Sequence, residues 1–98
     1  MKIEDKLQRG FCYVTLNDGE YIINGLHVRK PYQNQGIASS LIKSAESVIQ
    51  KLGGYKSILY VIPNSWQHDW YVRIGFRESN NNDVLGFKKL EKNTTLNK

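Results

Sequence analysis

The sequence predicts an α/β domain on a mixed sheet, with elements in the order β-β-α-β-α-β-β. Three observations predict it. Two stretches rich in strand formers flank an Asp-Gly turn, one long segment carries a helical apolar stripe, and a near-continuous apolar run follows that segment directly. Strand–helix–strand order implies a parallel crossover between the strands on either side of the helix.

The hairpin comes first. Phe11–Leu16 and Tyr21–Val28 read as strands, joined through Asn17-Asp18-Gly19-Glu20. Residues 2–8 alternate loosely (Ile3, Asp5, Leu7) and suggest an added edge strand. Pro31 ends the second strand, because proline cannot donate to a ladder. Ile37, Leu41, Ile42, Ala45, Val48, Ile49 and Leu52 then recur at steps of three and four, and Gly53-Gly54 stops the helix. Ser57–Ile62 is apolar enough to suggest a central strand covered on both faces. Asn64 is placed to cap a second helix, with Gln67 as its capping-box partner. Trp66, Trp70 and Ile74 fall on one face of that helix, and Gly75 ends it. Phe76–Glu78 and Val84–Leu90 suggest a last hairpin across the polar loop Ser79–Asp83. Residues 1–90 are expected to form one domain and 91–98 a disordered tail.

Composition narrows the class. The chain has 98 residues and 40% apolar content, enough for one thin core. Its net charge of +5 favours an acidic partner without choosing one, and four lysines against one glutamate in the last eleven residues account for much of it. The one cysteine, Cys12, excludes an internal disulfide and reads as a small strand residue. No apolar run approaches the roughly 18 residues of a membrane span, and no signal-peptide core is evident, so a cytoplasmic protein without membrane contact is the expectation. No basic stripe interleaved with aromatics supports direct nucleic-acid binding, and no metal site is expected.

The chemistry concentrates in the loop Pro31–Gly36, which joins a strand to a helix N-terminus. Unpaired amides and the helix dipole point at the same place there, which makes an anion site. Gly36 admits close backbone approach, Ala38 keeps the helix start uncluttered, and Gln33, Gln35, Ser39 and Ser40 offer further donors. Taken alone, one glycine in such a turn also fits an ordinary strand-to-helix connection.

The pattern is longer than one glycine. Gln33-x-x-Gly36-x-Ala38, after Leu26-His27-Val28 and before a helix, resembles motif A of the GNAT acetyltransferases, which wraps the pyrophosphate of coenzyme A. Asn64, Trp70, Tyr71, Gly75 and Phe76 stand at the spacing of that family's motif B, with Gln67 where alanine is common. The resemblance covers residues 11–90. It implies an N-acetyltransferase in which an amine attacks the thioester of acetyl-CoA directly. It further implies that Leu26, His27 and Val28 lie along the pantetheine arm, and that Gln33, Asn34, Gln35, Gly36, Ile37, Ala38 and Ser39 bind the coenzyme with Asn64 and Tyr71. Tyr71 takes the general acid position, and an amide near Leu26 would polarise the carbonyl. The base is left open between Glu20, His27, His68 and a relayed water, because Ile22 stands where some members carry glutamate.

Residues 1–10 offer no counterpart to the family's usual N-terminal strand and two helices. The acceptor groove is therefore expected to be open or completed by a second copy in a homodimer, which suits a protein lysine or another macromolecular amine. The small size, with Met1-Lys2-Ile3-Glu4, Cys12-Tyr13 and Gln35-Gly36-Ile37, is loosely similar to small anti-CRISPR acetyltransferases, whose substrate is a lysine of a DNA-reading nuclease. The alternative reading is an acyl-CoA-binding module that has lost catalysis.

Overall fold

The structure, a computed structural model, describes residues 1–79 and 85–94. Strands β1 (Lys2–Glu4), β2 (Gly10–Asn17), β3 (Glu20–Val28), β4 (Lys56–Val61), β5 (Arg77–Glu78) and β6 (Lys88–Asn93) form one sheet in the order β1-β2-β3-β4-β6-β5. Helix α1 (Ile37–Lys51) crosses from β3 to β4, and α2 (Trp66–Arg73) follows β4. The β3–β4 pair is parallel and all other pairs are antiparallel, so the sheet is mixed as the order of elements implies.

Each element has a local cause. Asp18 and Gly19 both take positive φ, which turns β2 into β3 with a twist that suits the hairpin. β1 pairs with β2 at the sheet edge and buries Ile3. Helix α1 turns Ile37, Leu41, Ile42, Ala45 and Ile49 inward against Cys12 and Val14 of β2, Ile23 of β3, and Leu59 and Val61 of β4. Phe76 and Leu90 complete this core, with Trp70, Tyr71 and Ile74 packed at its margin.

Three expectations are corrected. The core lies on one face of the sheet, and among the described residues no helix covers the other. Ile58 is nonetheless buried there, flanked in register by Ile22 and Glu91 and along its strand by Lys56 and Tyr60. The cap of α2 is Ser65, whose hydroxyl accepts from the His68 amide at 3.2 Å and donates to the Ile62 carbonyl at 2.6 Å. Asn64 instead takes the left-handed turn, φ 60, that asparagine tolerates, and passes the cap to the next residue. Trp66, 72% exposed, stands at the solvent end of the helical face it shares with Trp70 and Ile74, which pack at the core margin. Finally, β6 starts later than expected and runs through Asn93, with Thr94 closing it by bonds to Tyr55 and Gly54. The ordered chain therefore continues past Leu90. Residues 80–83 of the expected loop, Val84, and residues 95–98 of the expected tail lie outside the described residues.

Candidate active site

A single backbone irregularity opens the site. In the β2–β3 ladder, Phe11 faces His27 but Tyr13 faces Asn24, so β3 carries one extra residue opposite Cys12. Gly25 sits in this bulge at φ 63, and a Cβ there would come within 2.8 Å of the Tyr13 ring. A bulge bends and twists its strand. The consequence appears on the other edge of β3, which pairs with β4 at two positions only, Tyr21 with Ser57 and Ile22 with Ile58. Beyond them the two strands no longer form a ladder, and a cleft of about 620 Å³ lies at their diverging ends.

Three structures wall this cleft. Leu26, His27 and Val28 come from the diverging end of β3. Tyr32, Gln33, Asn34, Gly36, Ile37, Ala38 and Ser39 come from the loop and the first turn of α1. Trp66, Gln67, Trp70, Tyr71 and Arg73 come from α2. Among the described residues Arg73 lines it and no carboxylate does, so the site favours an anion.

The loop end is built for one. Gly36 is the N-cap of α1 at φ 83, and no side chain caps the helix. The first amides of α1 are thus without intrahelical acceptors and border the cleft. Gln33 and Gln35 brace the loop from within, donating from their carboxamides to the Val28 and Pro31 carbonyls at 3.0 and 3.3 Å. Behind the loop, Arg29 donates to the Arg9 carbonyl, and Arg9 grips Asp5 through two side-chain bonds of 2.7 and 3.0 Å. Those bonds hold the Asp5 carboxyl down at about 2.

Tyr71 stands on the α2 wall. Its ring packs edge-on against Trp70 and Phe76, with centroids 4.9 and 5.7 Å away. Burial pushes its phenol up to about 12, and the Cys12 thiol adds in the same direction. The phenol therefore stays protonated at any physiological pH and is a standing hydrogen-bond donor. Cys12 is fully buried, with its thiol raised to about 11 by desolvation, and takes the structural role expected of it.

The expected residues separate into two groups. Leu26, His27, Val28, Gln33, Asn34, Gly36, Ile37, Ala38, Ser39 and Tyr71 all line the cleft, while Gln35 and Asn64 do not. Among the candidate bases, His27 alone is on the lining, with its ring 5.3 Å from Phe11. Glu20 is at the far end of β3, where both its oxygens accept from Lys89 at 3.1 and 2.9 Å. His68 turns away to Glu78, 2.9 Å from Nε2. Tyr32, Trp66, Gln67, Trp70 and Arg73 line the cleft without having been singled out as binding residues. A helical-face count from Tyr71 could have found Gln67, four residues before it, and an isolated glycine inside a strand pattern was the available sign of the bulge.

The acetyltransferase (GNAT) domain family matches residues 2–78. No curated protein matches the chain by sequence. Among solved structures, the PaiA N-acetyltransferase of Thermoplasma acidophilum, in complex with coenzyme A, is 24% identical with a TM-score of 0.72, covering 86% of this chain and 52% of its own. A GNAT-family acetyltransferase of Staphylococcus aureus is 19% identical with a TM-score of 0.73, covering 94% and 65%. The anti-CRISPR protein AcrVA5 is 22% identical with a TM-score of 0.70, covering 91% and 95%. The chain thus spans about half of the first structure, under two thirds of the second and nearly all of the third. These likenesses concern the fold.

Proposed function

The chain belongs to the GNAT acetyltransferase family, and from that premise we propose that it binds acetyl-CoA in the cleft and transfers the acetyl group to an amine. The observation that carries this reading is the divergence of β3 and β4 onto the uncapped start of α1, with a protonated Tyr71 on the facing wall.

When bound, acetyl-CoA supplies a thioester whose carbonyl carbon an amine can attack and whose sulfur leaves as a thiolate. The amides of Gly36–Ser39 would hold the pyrophosphate, with Arg73 adding positive charge on the cleft wall. Leu26, His27 and Val28 would flank the pantetheine arm, and an amide beside the Gly25 bulge, near Leu26, would donate to the carbonyl oxygen as negative charge develops there. Tyr71 would donate to the departing sulfur. With the phenol at about 12 and an ordinary thiol near 8.5, outright proton transfer is uphill by roughly 5 kcal/mol. Tyr71 therefore acts as a hydrogen-bond donor, and the proton that neutralises the thiolate comes from the acetylated nitrogen. A water held near His27 is the reading we favour for removing it, since Glu20 and His68 are engaged elsewhere.

We assign the acceptor to a protein lysine or another macromolecular amine. Support comes from the second face of the sheet, which carries no helix among the described residues and presents half-buried side chains such as Glu20, Lys56 and Tyr60. The absence of a carboxylate from the cleft among the described residues keeps one other reading in play, an acyl-CoA-binding module without turnover.

One experiment separates them. The chain is titrated with acetyl-CoA by calorimetry, then incubated with acetyl-CoA and protein and small-amine acceptors, which are read by mass spectrometry. Tyr71→Phe is expected to lower kcat by about a hundredfold, the low end for loss of one transition-state hydrogen-bond donor, and to leave binding largely intact. Gly36→Val is expected to abolish binding, because it forces a β-branched residue to φ 83 on the cleft lining. Binding without transfer to any amine sinks the enzyme reading. Wild-type turnover in Tyr71→Phe removes Tyr71 from the chemistry.

A further inference from the structure

Helix α2 carries Tyr71 yet has no buried residue, and eight residues are too few to form a stable helix unaided. Something outside it must set where its C-terminal end stands. Lys92, on β6, reaches that end. Its ammonium donates to the Ile74 carbonyl, at the C-cap of α2, over 3.1 Å. It also lies 3.1 and 3.5 Å from the two carboxylate oxygens of Glu46 on α1, the nearer one in an ion contact and the farther in a hydrogen bond. The same ammonium lies 5.7 Å from the centre of the Phe76 ring, which also packs edge-on against the Tyr71 ring. Glu46 is mostly buried, with its side chain 14% exposed.

We propose that Lys92, held by Glu46, is a positioning residue for Tyr71. One cation joins three elements: β6 that bears it, α1 through Glu46, and the end of α2 through Ile74. A positive charge at a helix C-terminus satisfies a free carbonyl and complements the helix dipole. Glu46 fixes the ammonium from the rigid helix, so the C-terminal end of α2 is referred to α1 as well as to its own half-buried packing. The phenol is carried one turn before the anchored carbonyl, and the Phe76 amide bonds back to the Tyr71 carbonyl at 3.0 Å. This inference rests on the reading of Tyr71 given above.

The test compares kcat and KM for acetyl-CoA, with poly-L-lysine as acceptor, in Lys92→Met, Lys92→Arg and Tyr71→Phe and in Lys92→Met combined with Tyr71→Phe. Lys92→Met is expected to lower kcat by about tenfold while KM for acetyl-CoA moves less than about threefold. Lys92→Arg, which can still bridge Glu46 and Ile74, is expected to recover most of the loss. On the Tyr71→Phe background, Lys92→Met is expected to change kcat by less than about twofold, because its effect passes through the phenol. Wild-type kcat in Lys92→Met, or the same loss on both backgrounds, overturns the proposal. If Lys92→Met does not fold, Glu46→Gln takes its place with the same outcomes. If poly-L-lysine is not acetylated, or Tyr71→Phe turns over normally, the reading of Tyr71 fails separately. The latch is then judged by ultraviolet titration of the Tyr71 phenol, assigned by difference from Tyr71→Phe. A midpoint in Lys92→Met displaced from that of the wild-type phenol supports the latch, and an unmoved midpoint overturns it.

Discussion

Helix α1 turns five buried side chains against the sheet, whereas α2, across the cleft from its first turn, turns none. The first is fixed by apolar burial along 15 residues, and the second by a serine cap, three half-buried side chains and an ammonium at its end. The difference matches what each wall does. The α1 wall presents backbone amides, which need a rigid scaffold and no particular side chain. The α2 wall presents a phenol and two indoles, whose placement depends on polar contacts at the helix ends. Rigid burial thus stands behind the part of the site that would hold an anion, and adjustable contacts stand behind the part that would follow the reaction.

The contrast can be broken most forcefully from the α1 side. Ile42 is 1% exposed, and Ile42→Ala is expected to destabilise the chain by about 2–5 kcal/mol in denaturant unfolding, a large share of what a domain this small possesses. A loss under about 1 kcal/mol would show that α1 is not the fixed partner described. Next in size is the alkaline limb. Cys12 and Tyr71 have pKa values raised from 9.0 and 10.0 to about 11 and about 12. Between the ordinary and raised values the unfolded chain has lost protons that the folded chain retains, so stability falls as pH rises from about 9 to about 12. For fully buried Cys12 the loss is on the order of 2 kcal/mol. Cys12→Ala should flatten the lower part of this decline in unfolding experiments between pH 8 and 11, and an unchanged slope would count against the buried thiol as its source. The smallest change lies on α2. Ser65→Ala removes the cap and is expected to cost about 1 kcal/mol, with faster amide exchange in Trp66–Asp69 and unaltered exchange in α1. Equal loosening of both helices would erase the contrast.

Much of the fold was legible because its signals are local. The Asp18-Gly19 turn, the stripe from Ile37 to Ile49 and the glycine stop need only near neighbours to take effect. The errors came where several residues compete for one role. Asn64 and Ser65 are both good caps, and the choice between them followed from a left-handed turn that the tertiary path required. The apolar run at Ser57–Ile62 speaks of burial without saying what covers it. Val61 and Leu59 meet α1, while Ile58 is buried on the helix-free face. The charged end of the chain reads as a solvated tail, yet Lys89 and Lys92 are ordered on β6 by carboxylates 69 and 46 positions earlier in the sequence.

The sequence by itself determined the order of elements, the crossover, the anion-ready turn at Gln33–Ala38 and the family motifs around Tyr71, since each depends on residues close together in the chain. Tertiary structure alone decided which of those residues share a cleft. The bulge at Gly25 bends β3 away from β4, and this separation, set by backbone pairing across three strands, places the α1 amides and the Tyr71 phenol on one opening. It also decided that, of the candidate bases, His27 lines the cleft and Glu20 and His68 do not. Glu20 and His68 are near the site in sequence, but partners distant in the chain draw their side chains elsewhere.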